Sequence, residues 1–413
     1  MLEGWSHHRL IEHFAKLSLL LATALCVGWG LVLVRVWQTT AAFRPLPGGN
    51  LPDDDDEEAS IAGPKPSISV VVAARNEAAA LEPALRSLLA QESVDLELIV
   101  VDDDSSDATL AIAQRIAAEA GAGKMVVIAQ KKLPPGWIAK NYALELGQGR
   151  ARGEWLLFTD ADVLHEPRAL RNAVGVMQRE RLDHLALFPR LEAGSLIEAL
   201  VLPLFVLLYQ LRFVDPRASD PESPHGTGIG AFNMVRAEAY RLRGTHARIR
   251  GNMLDDNALG VMMRDEQGRG SVMRAFSQVR LRPWRSLSEV YFGVRKSILA
   301  QFGNSAAVAV AAAATLVTAA VAPMMLVVAS LPLWWTGHTP WPLAPAAVAA
   351  LFPMIGLFKA RSLLRFEPLA ALLFPVGALV IATSALHAAL IFGLKGTVEW
   401  RGRSYTKKDF KNS

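Results

Sequence analysis

The stretch FTDADV, residues 158–163, runs an apolar segment into two aspartates one residue apart. Side chains alternate along an extended segment, so Asp160 and Asp162 project to the same side and Ala161 points away. Two carboxylates aimed at one spot repel each other unless a cation joins them. An oxygen-only ligand set suits Mg2+ or Mn2+, which keep positions open for water and substrate phosphates. The pair is therefore expected to hold a divalent ion that in turn holds a diphosphate. Two further acidic clusters accompany it, IVVDDDSSDAT at 99–109 and IRGNMLDDNALG at 249–260. Each also has an ordinary reading: Asp107 as the cap of a following helix, Asp160 as a turn cap, Asp255 and Asp256 as the opening of a helix at Asn257.

The elements that must position these residues are readable from periodicity. ISVVVAA, LELIVV, MVVIA, EWLLFT and HLALF read as strands. Between them Leu81, Leu85, Leu88 and Leu89 share one helical face, and DATLAIAQRIAAEA and EPRALRNAVGVMQRE repeat the theme. Strands apolar on both faces and separated by helices indicate an open, mostly parallel sheet covered on either side. Ligands in such sheets bind beyond the carboxyl ends of the strands, where the first two acidic clusters fall. The α/β region runs from residue 67 to about 285.

VVVAARNE, VVDDDSSDAT, TDAD and LDDNALG, in that order and with these gaps, resemble the membrane-bound glycosyltransferases of family 2, which have the GT-A nucleotide-sugar fold. The resemblance covers roughly residues 67–300. LPPGWIAKNYAL, IRGNMLDDNAL and RLRPWRSL are similar to stretches of the hopanoid-associated and, less closely, carotenoid-type enzymes of that family. It implies that Ala73, Arg75, Asn76 and Glu77 hold the uridine and pyrophosphate of a UDP-sugar donor. By the same resemblance Asp103 accepts from the uracil imide, Asp160 contacts the ribose or a metal-bound water, and Asp162 ligates the metal. Lys140 pairs with the diphosphate, or is a solvated surface charge, and Asp256 or its neighbour Asp255 is the catalytic base of an inverting transfer. The Gln/Arg-x-x-Arg-Trp signature of related enzymes is altered here to RLRPWR, with Arg280, Arg282, Trp284 and Arg285, and Arg282 and Trp284 are the members expected to reach the diphosphate or acceptor. IAKN replaces an expected Gly-Lys pair. Gly226, Gly228 and Gly230 fall where the family lines its acceptor site, or serve backbone bends. His165 and His225 are expected to be structural or surface residues.

With 52% hydrophobic residues in 413, the chain is too apolar for a water-soluble protein of this size. Lys and Arg number 43 against 39 Asp and Glu, a balance that gives no nucleic-acid footprint. The one cysteine, Cys26, excludes an intrachain disulfide and a cysteine-based zinc site. An uncharged run from Leu17 to Val34 reads as an uncleaved anchor helix within residues 1–43. PLPGGNLPDDDDEEASIAGPKP, in 44–66, reads as a solvated linker. Residues 286–303, with Arg295 and Lys296, read as an amphipathic interface helix. Apolar blocks follow within 304–394, then a basic tail, 395–413. TGHTPWP lacks Lys and Arg whereas KARSLLR is basic, which places the α/β domain in the cytoplasm, on a multi-pass protein of the inner membrane. Three full crossings would put the tail outside, so one block is re-entrant or interfacial. GSLIEALVLPLFVLLYQLRF, 194–213, reads as partly membrane-facing or as a buried helix over the sheet. A lipid acceptor near the inner leaflet, of hopanoid, carotenoid or other polyisoprenoid type, follows from the resemblance. The alternatives are a processive polysaccharide synthase of the same family and an inactive membrane scaffold with a nucleotide-binding domain.

Overall fold

The computed structural model describes residues 2–49, 64–301, 305–335, 343–364, 372–400 and 403–406. In chain order the elements begin with α1 (Leu2–Ala42), β1 (Ser67–Ala74), α2 (Leu81–Leu89), β2 (Asp95–Asp103), α3 (Thr109–Ala120), β3 (Met125–Gln130), α4 (Ala139–Gln148) and β4 (Trp155–Asp160). There follow β5 (Val163–His165), α5 (Ala169–Glu180), β6 (His184–Phe188), β7 (Arg190–Leu191), α6 (Leu196–Phe213), β8 (Asn233–Arg236), α7 (Ala237–Leu242), α8 (Thr245–Arg248) and α9 (Asp255–Met262). The rest comprises β9 (Gly270–Arg274), β10 (Val279–Leu281), α10 (Leu287–Gln301), α11 (Ala306–Trp335), α12 (Leu343–Leu364), α13 (Phe374–Lys395), β11 (Thr397–Trp400) and β12 (Arg403–Thr406). The chain forms two units: residues 1–38, 193–212 and 284–396 in one, and 39–192, 213–283 and 397–413 in the other.

The α/β unit is built on a seven-stranded mixed sheet, ordered β3-β2-β1-β4-β8-β6-β9. β1, β2, β3 and β4 are parallel, and β8 runs antiparallel between β4 and β6. Val71, Ile99, Val101, Leu156 and Phe158 bury one face against α4, α7 and α9; alternation turns Val70 and Val72 to the other face. Both sets are at most 1% exposed apart from Phe158, at 3%, and each such side chain contributes about 1.5–3 kcal/mol of burial. α4 lies so close to the sheet that a Cβ on Gly147 would stand 2.3 Å from Val71 Cγ1. The register sets Ala74 beside Asp102 and Ala73 beside Asp160, so three carboxyl-terminal ends share one rim.

A second sheet, β5-β10-β7, carries the chain just beyond that rim. β10 pairs antiparallel with β5, Leu281 opposite Val163, and Asp162 and Arg282 lie directly beyond the paired residues. Residues Arg44 to Gly48, read from composition as the start of a spacer, are docked: Leu46 N–H donates to Arg274 O and Gln278 Nε2 to Leu46 O and Pro47 O. The DDDDEE run lies outside the described residues, as does TGHTPWP.

In the other unit, α1, α6, α11 and α13 contain apolar stretches long enough to cross a membrane, Ala15–Ala42, Leu196–Phe213, Ala306–Leu331 and Phe374–Leu394. The apolar part of α12, Leu343–Phe358, is shorter. Trp29 Nε1 donates to Ala319 O, tying α1 to α11. Gly377 admits α13 to the backbone of α6, where a Cβ would meet Leu200 O at 2.1 Å. α10 is joined to α13 through Tyr291 Oη and His387 Nδ1, 3.0 Å apart. The side chains of Arg295 and Lys296, and of the KARSLLR segment, are outside the described residues.

Candidate active site

The loops after β1 and β2 are laced together at the rim. Arg75 donates to Asp103 O and its guanidinium stands 3.6 Å from the Asp103 carboxylate. Asn76, in the left-handed region at φ 53°, takes a hydrogen bond from Ser106 N–H and gives one from its own N–H to Ser105 Oγ. Glu77 N–H donates to Thr109 Oγ1, and Ala78 N–H to Asp107 Oδ2. Asp107 also accepts from Thr109 N–H, so it serves as a local tie between the two loops and the start of α3. Arg75, Asn76, Glu77 and Asp103 are thereby brought together, with Ala73 on the strand beneath them. Asp103, 3% exposed, and Asp160 flank β1 on opposite sides, about 10 Å apart at the usual strand spacing.

Across the rim a cleft is lined by Lys140, Asp160, Asn233, His246, Asp255 and Asp256 with apolar neighbours. Lys140 Nζ lies 2.7 Å from Asp160 Oδ1 and 3.0 Å from Asp255 Oδ2, so it is no solvated surface charge. Burial works against its ammonium, but Asp160, Asp255 and Asp256 outweigh that and hold its pKa well above the ordinary lysine value. Asp255 and Asp256 open α9, as the ordinary capping reading requires, yet both also face the cleft. Asp256 Oδ2 accepts from Gly230 N–H at 3.0 Å and Oδ1 from Asn257 N–H at 2.8 Å. Burial, reinforced by the charge of Asp255 and opposed by Lys140, pushes Asp256 up to about 6.

The HGTGIGAF segment supplies the floor. A Cβ on Gly228 would stand 1.7 Å from Asp256 O, and one on Gly230 would stand 2.6 Å from Asp160 Oδ2 and 3.4 Å from Asp256 Oδ2. Gly230 O also accepts from Asp160 N–H. Only a hydrogen at these positions lets strand and helix approach. His246, which no sequence pattern singles out, lines the cleft with Nδ1 2.5 Å from Tyr240 Oη, and burial followed by the charge of Lys140 lowers it to about 3.

Asp162 sits half-buried in the turn between β4 and β5, and is not among the cleft-lining residues. Trp284 belongs to the helical unit, where its ring packs edge-on to Phe205 at 5.1 Å and against Gly293. His165 is buried, and His225 is a surface residue 3.7 Å from Asp215. No group of three or more His, Cys, Asp or Glu among the described residues is arranged to hold a metal ion. The expectation that alternation along one strand sets Asp160 and Asp162 to the same side does not hold, because residues 161–162 form a turn after β4; the two donors are still oxygen-only, the chemistry by which one or two carboxylates hold Mg2+ together with substrate phosphates.

Residues 69–234 match the model of glycosyl transferase family 2. A 4,4'-diaponeurosporenoate glycosyltransferase of Staphylococcus haemolyticus is 38% identical over 116 residues, 28% of this chain and 29% of the relative. A GalNAc(5)-diNAcBac-PP-undecaprenol beta-1,3-glucosyltransferase of Campylobacter jejuni is 34% identical over 97 residues, 24% of this chain and 30% of the relative. Each match thus spans under a third of the relative's length. The fold is that of a mannosyltransferase from Pyrobaculum calidifontis solved with GDP-Man and Mn2+, which aligns over 92% of this chain and 99% of its own with a TM-score of 0.51 at 17% identity. The α/β unit is therefore GT-A-like.

Proposed function

We propose that the chain, whose residues 69–234 match glycosyl transferase family 2, transfers a sugar from a nucleotide-sugar donor, of UDP-sugar class by its rim residues, to a hydroxyl of a membrane lipid with inversion at the anomeric carbon. The observation that carries the reading is the convergence of Asp160, Asp255 and Asp256 on Lys140 at the carboxyl rim of the sheet. Arg75, Asn76, Glu77 and Asp103 bind the nucleoside end. Asp160 and Asp162 would hold Mg2+ or Mn2+, which when bound supplies positive charge against the departing diphosphate. Lys140 adds a second positive charge, and Arg282, in the segment after β10, would add a third.

Asp256 acts as general base. It takes the proton from the acceptor hydroxyl as that oxygen attacks the anomeric carbon, while the bond to the diphosphate oxygen breaks and its electron pair leaves with the nucleotide. A carboxylate in this role contributes about 10²- to 10⁴-fold. Asp255 is held by Lys140 and keeps it in place, which leaves Asp256 as the base. Four helices of membrane-spanning length and relatives named for a carotenoid acid and an undecaprenol-linked glycan support a lipid acceptor of polyisoprenoid type. The positive-inside pattern supports a cytoplasmic catalytic domain on an inner membrane.

The test is turnover of UDP-sugars with Mg2+ or Mn2+ by the full chain in membranes, beside Asp162→Ala and Asp256→Asn. Loss of about 10²-fold or more in both variants is expected; equal turnover in all three would leave a nucleotide-binding scaffold. Mass spectrometry of lipids from cells with and without the protein then names donor and acceptor together.

A further inference from the structure

Nothing in the mechanism above accounts for Asn141, the residue after Lys140. Its side chain is 0% exposed, and its Nδ2 lies 2.9, 3.2 and 2.9 Å from the carbonyl oxygens of Ile249, Arg250 and Asn252. Three acceptors around one amide nitrogen fix which end of the amide is which, because the flipped form would set oxygen against three oxygens. Two N–H groups shared among three carbonyls leave at least one bond bifurcated. Oδ1 is buried and makes no hydrogen bond among the described residues. A buried amide kept with half its capacity unused is costly, so its donor end must serve something.

What it holds is the approach to the base. Ile138 N–H donates to Arg250 O at 2.8 Å, and Glu145 Oε2, one turn further along α4, accepts from Ala247 N–H at 3.1 Å. Asn252 Oδ1 then accepts from Leu254 N–H immediately before α9. α4 therefore grips residues 247–252 at three points. The chain leaves that grip through two residues and enters α9, whose first residues are Asp255 and Asp256. From the other side Gly228 packs on Asp256 O and Gly230 N–H holds its carboxylate.

We propose that Asn141 is a positioning residue for the base: through the carbonyls of Ile249, Arg250 and Asn252 it latches the 249–254 segment to α4, and so fixes Asp256 relative to Asp160 and Lys140. The inference rests on the glycosyltransferase reading for its catalytic consequence but not for the latch. A carboxylate displaced by about 1 Å loses on the order of 10² in rate. The latch does not touch the loops after β1 and β2 that bind the nucleoside end, and Lys140 lies on α4, the element to which the segment is latched.

The experiment uses the full chain in nanodiscs, with Asn141→Leu, which keeps the shape and removes both donors, and Asn141→Ser, which leaves one donor on a shorter arm should the first not be recovered folded. Val174→Ala, a core change in α5, controls for general loss of stability. Hydrogen–deuterium exchange of amides 249–254 is expected to speed at least tenfold in the Asn141 variants and not in the control. Turnover should fall about 10²-fold with the UDP dissociation constant within threefold of wild type, and less in Asn141→Ser. Unchanged exchange in 249–254 overturns the latch. Faster exchange with turnover within twofold of wild type, or a loss carried wholly by UDP affinity, overturns the positioning role. If the wild-type chain neither binds UDP nor turns over any nucleotide sugar, the glycosyltransferase reading fails, and the exchange measurement still decides the latch.

Discussion

Asp255 and Asp256 are adjacent carboxylates with opposite surroundings. Asp255 is 8% exposed and sits against an ammonium; Asp256 is held by two backbone N–H groups and is pushed up to about 6 by burial and by its neighbour's charge. A base must be unprotonated to act, so kcat/KM is expected to rise with pH through about 6 and to fall tenfold per unit below it. Asp256→Asn should abolish that limb along with the activity, and pH–rate profiles of both proteins check it. The aspartates themselves stood out in the sequence as the last of three acidic clusters, LDDNALG. Their division of labour did not: it depends on Lys140, 115 residues from Asp255 by the numbering, and on Gly230. Asn141 and His246 carried no signal at all, because a lone Asn or His inside an ordinary helical pattern gains its role only from what folds against it.

At the level of elements, α4 joins the sheet to the site. Its Gly147 allows contact with Val71, where a Cβ would lie 2.3 Å from Cγ1, while its first turns carry Lys140 and Asn141. Gly147→Ala regains about 1 kcal/mol of helix propensity but overpacks the contact at a cost of roughly 1–3 kcal/mol. A net lowering of the unfolding midpoint is expected, larger in Gly147→Val, and Val71→Ala in the same chain should restore it; thermal melts of the single and double variants check the coupling. The strands β1 to β4 and helices α2, α3 and α5 follow from periodicity, because their burial is set by alternation and by the helical repeat. The reversal of β8 within the sheet, and the docking of Arg44 to Gly48 beside β9, do not: both are made by partners far along the chain, and Pro-Gly composition describes a segment's solvation and not its neighbours.

At the scale of the whole molecule, three buried histidines among the described residues are kept neutral. Burial lowers His165 to about 3, and lowers His184 to about 4, with Asn233 hydrogen-bonded to its ring; His246, also buried, is lowered to about 3. Each has a folded pKa below its unfolded value near 6.5, so the unfolded chain binds more protons as pH falls below about 6.5. Stability should drop there by up to about 1.4 kcal/mol per histidine per pH unit, until the folded pKa values are reached. The midpoint of thermal unfolding of the α/β unit should therefore fall from pH 7 to pH 5, and His184→Gln, which can keep a hydrogen bond to Asn233, should flatten the slope. Sequence alone determined an open, mostly parallel sheet covered by helices, the membrane-spanning lengths of the apolar helices and the identity of the acidic clusters, because alternation, hydrophobic run length and like-charge repulsion act over a few residues at a time. Only the tertiary structure decided that Lys140 bridges Asp160 and Asp255, that Gly230 separates Asp160 from Asp256, and that Asn141 grips the segment before α9. Those arrangements arise where segments a hundred residues apart are packed to within a hydrogen bond, and local pattern carries no record of such distances.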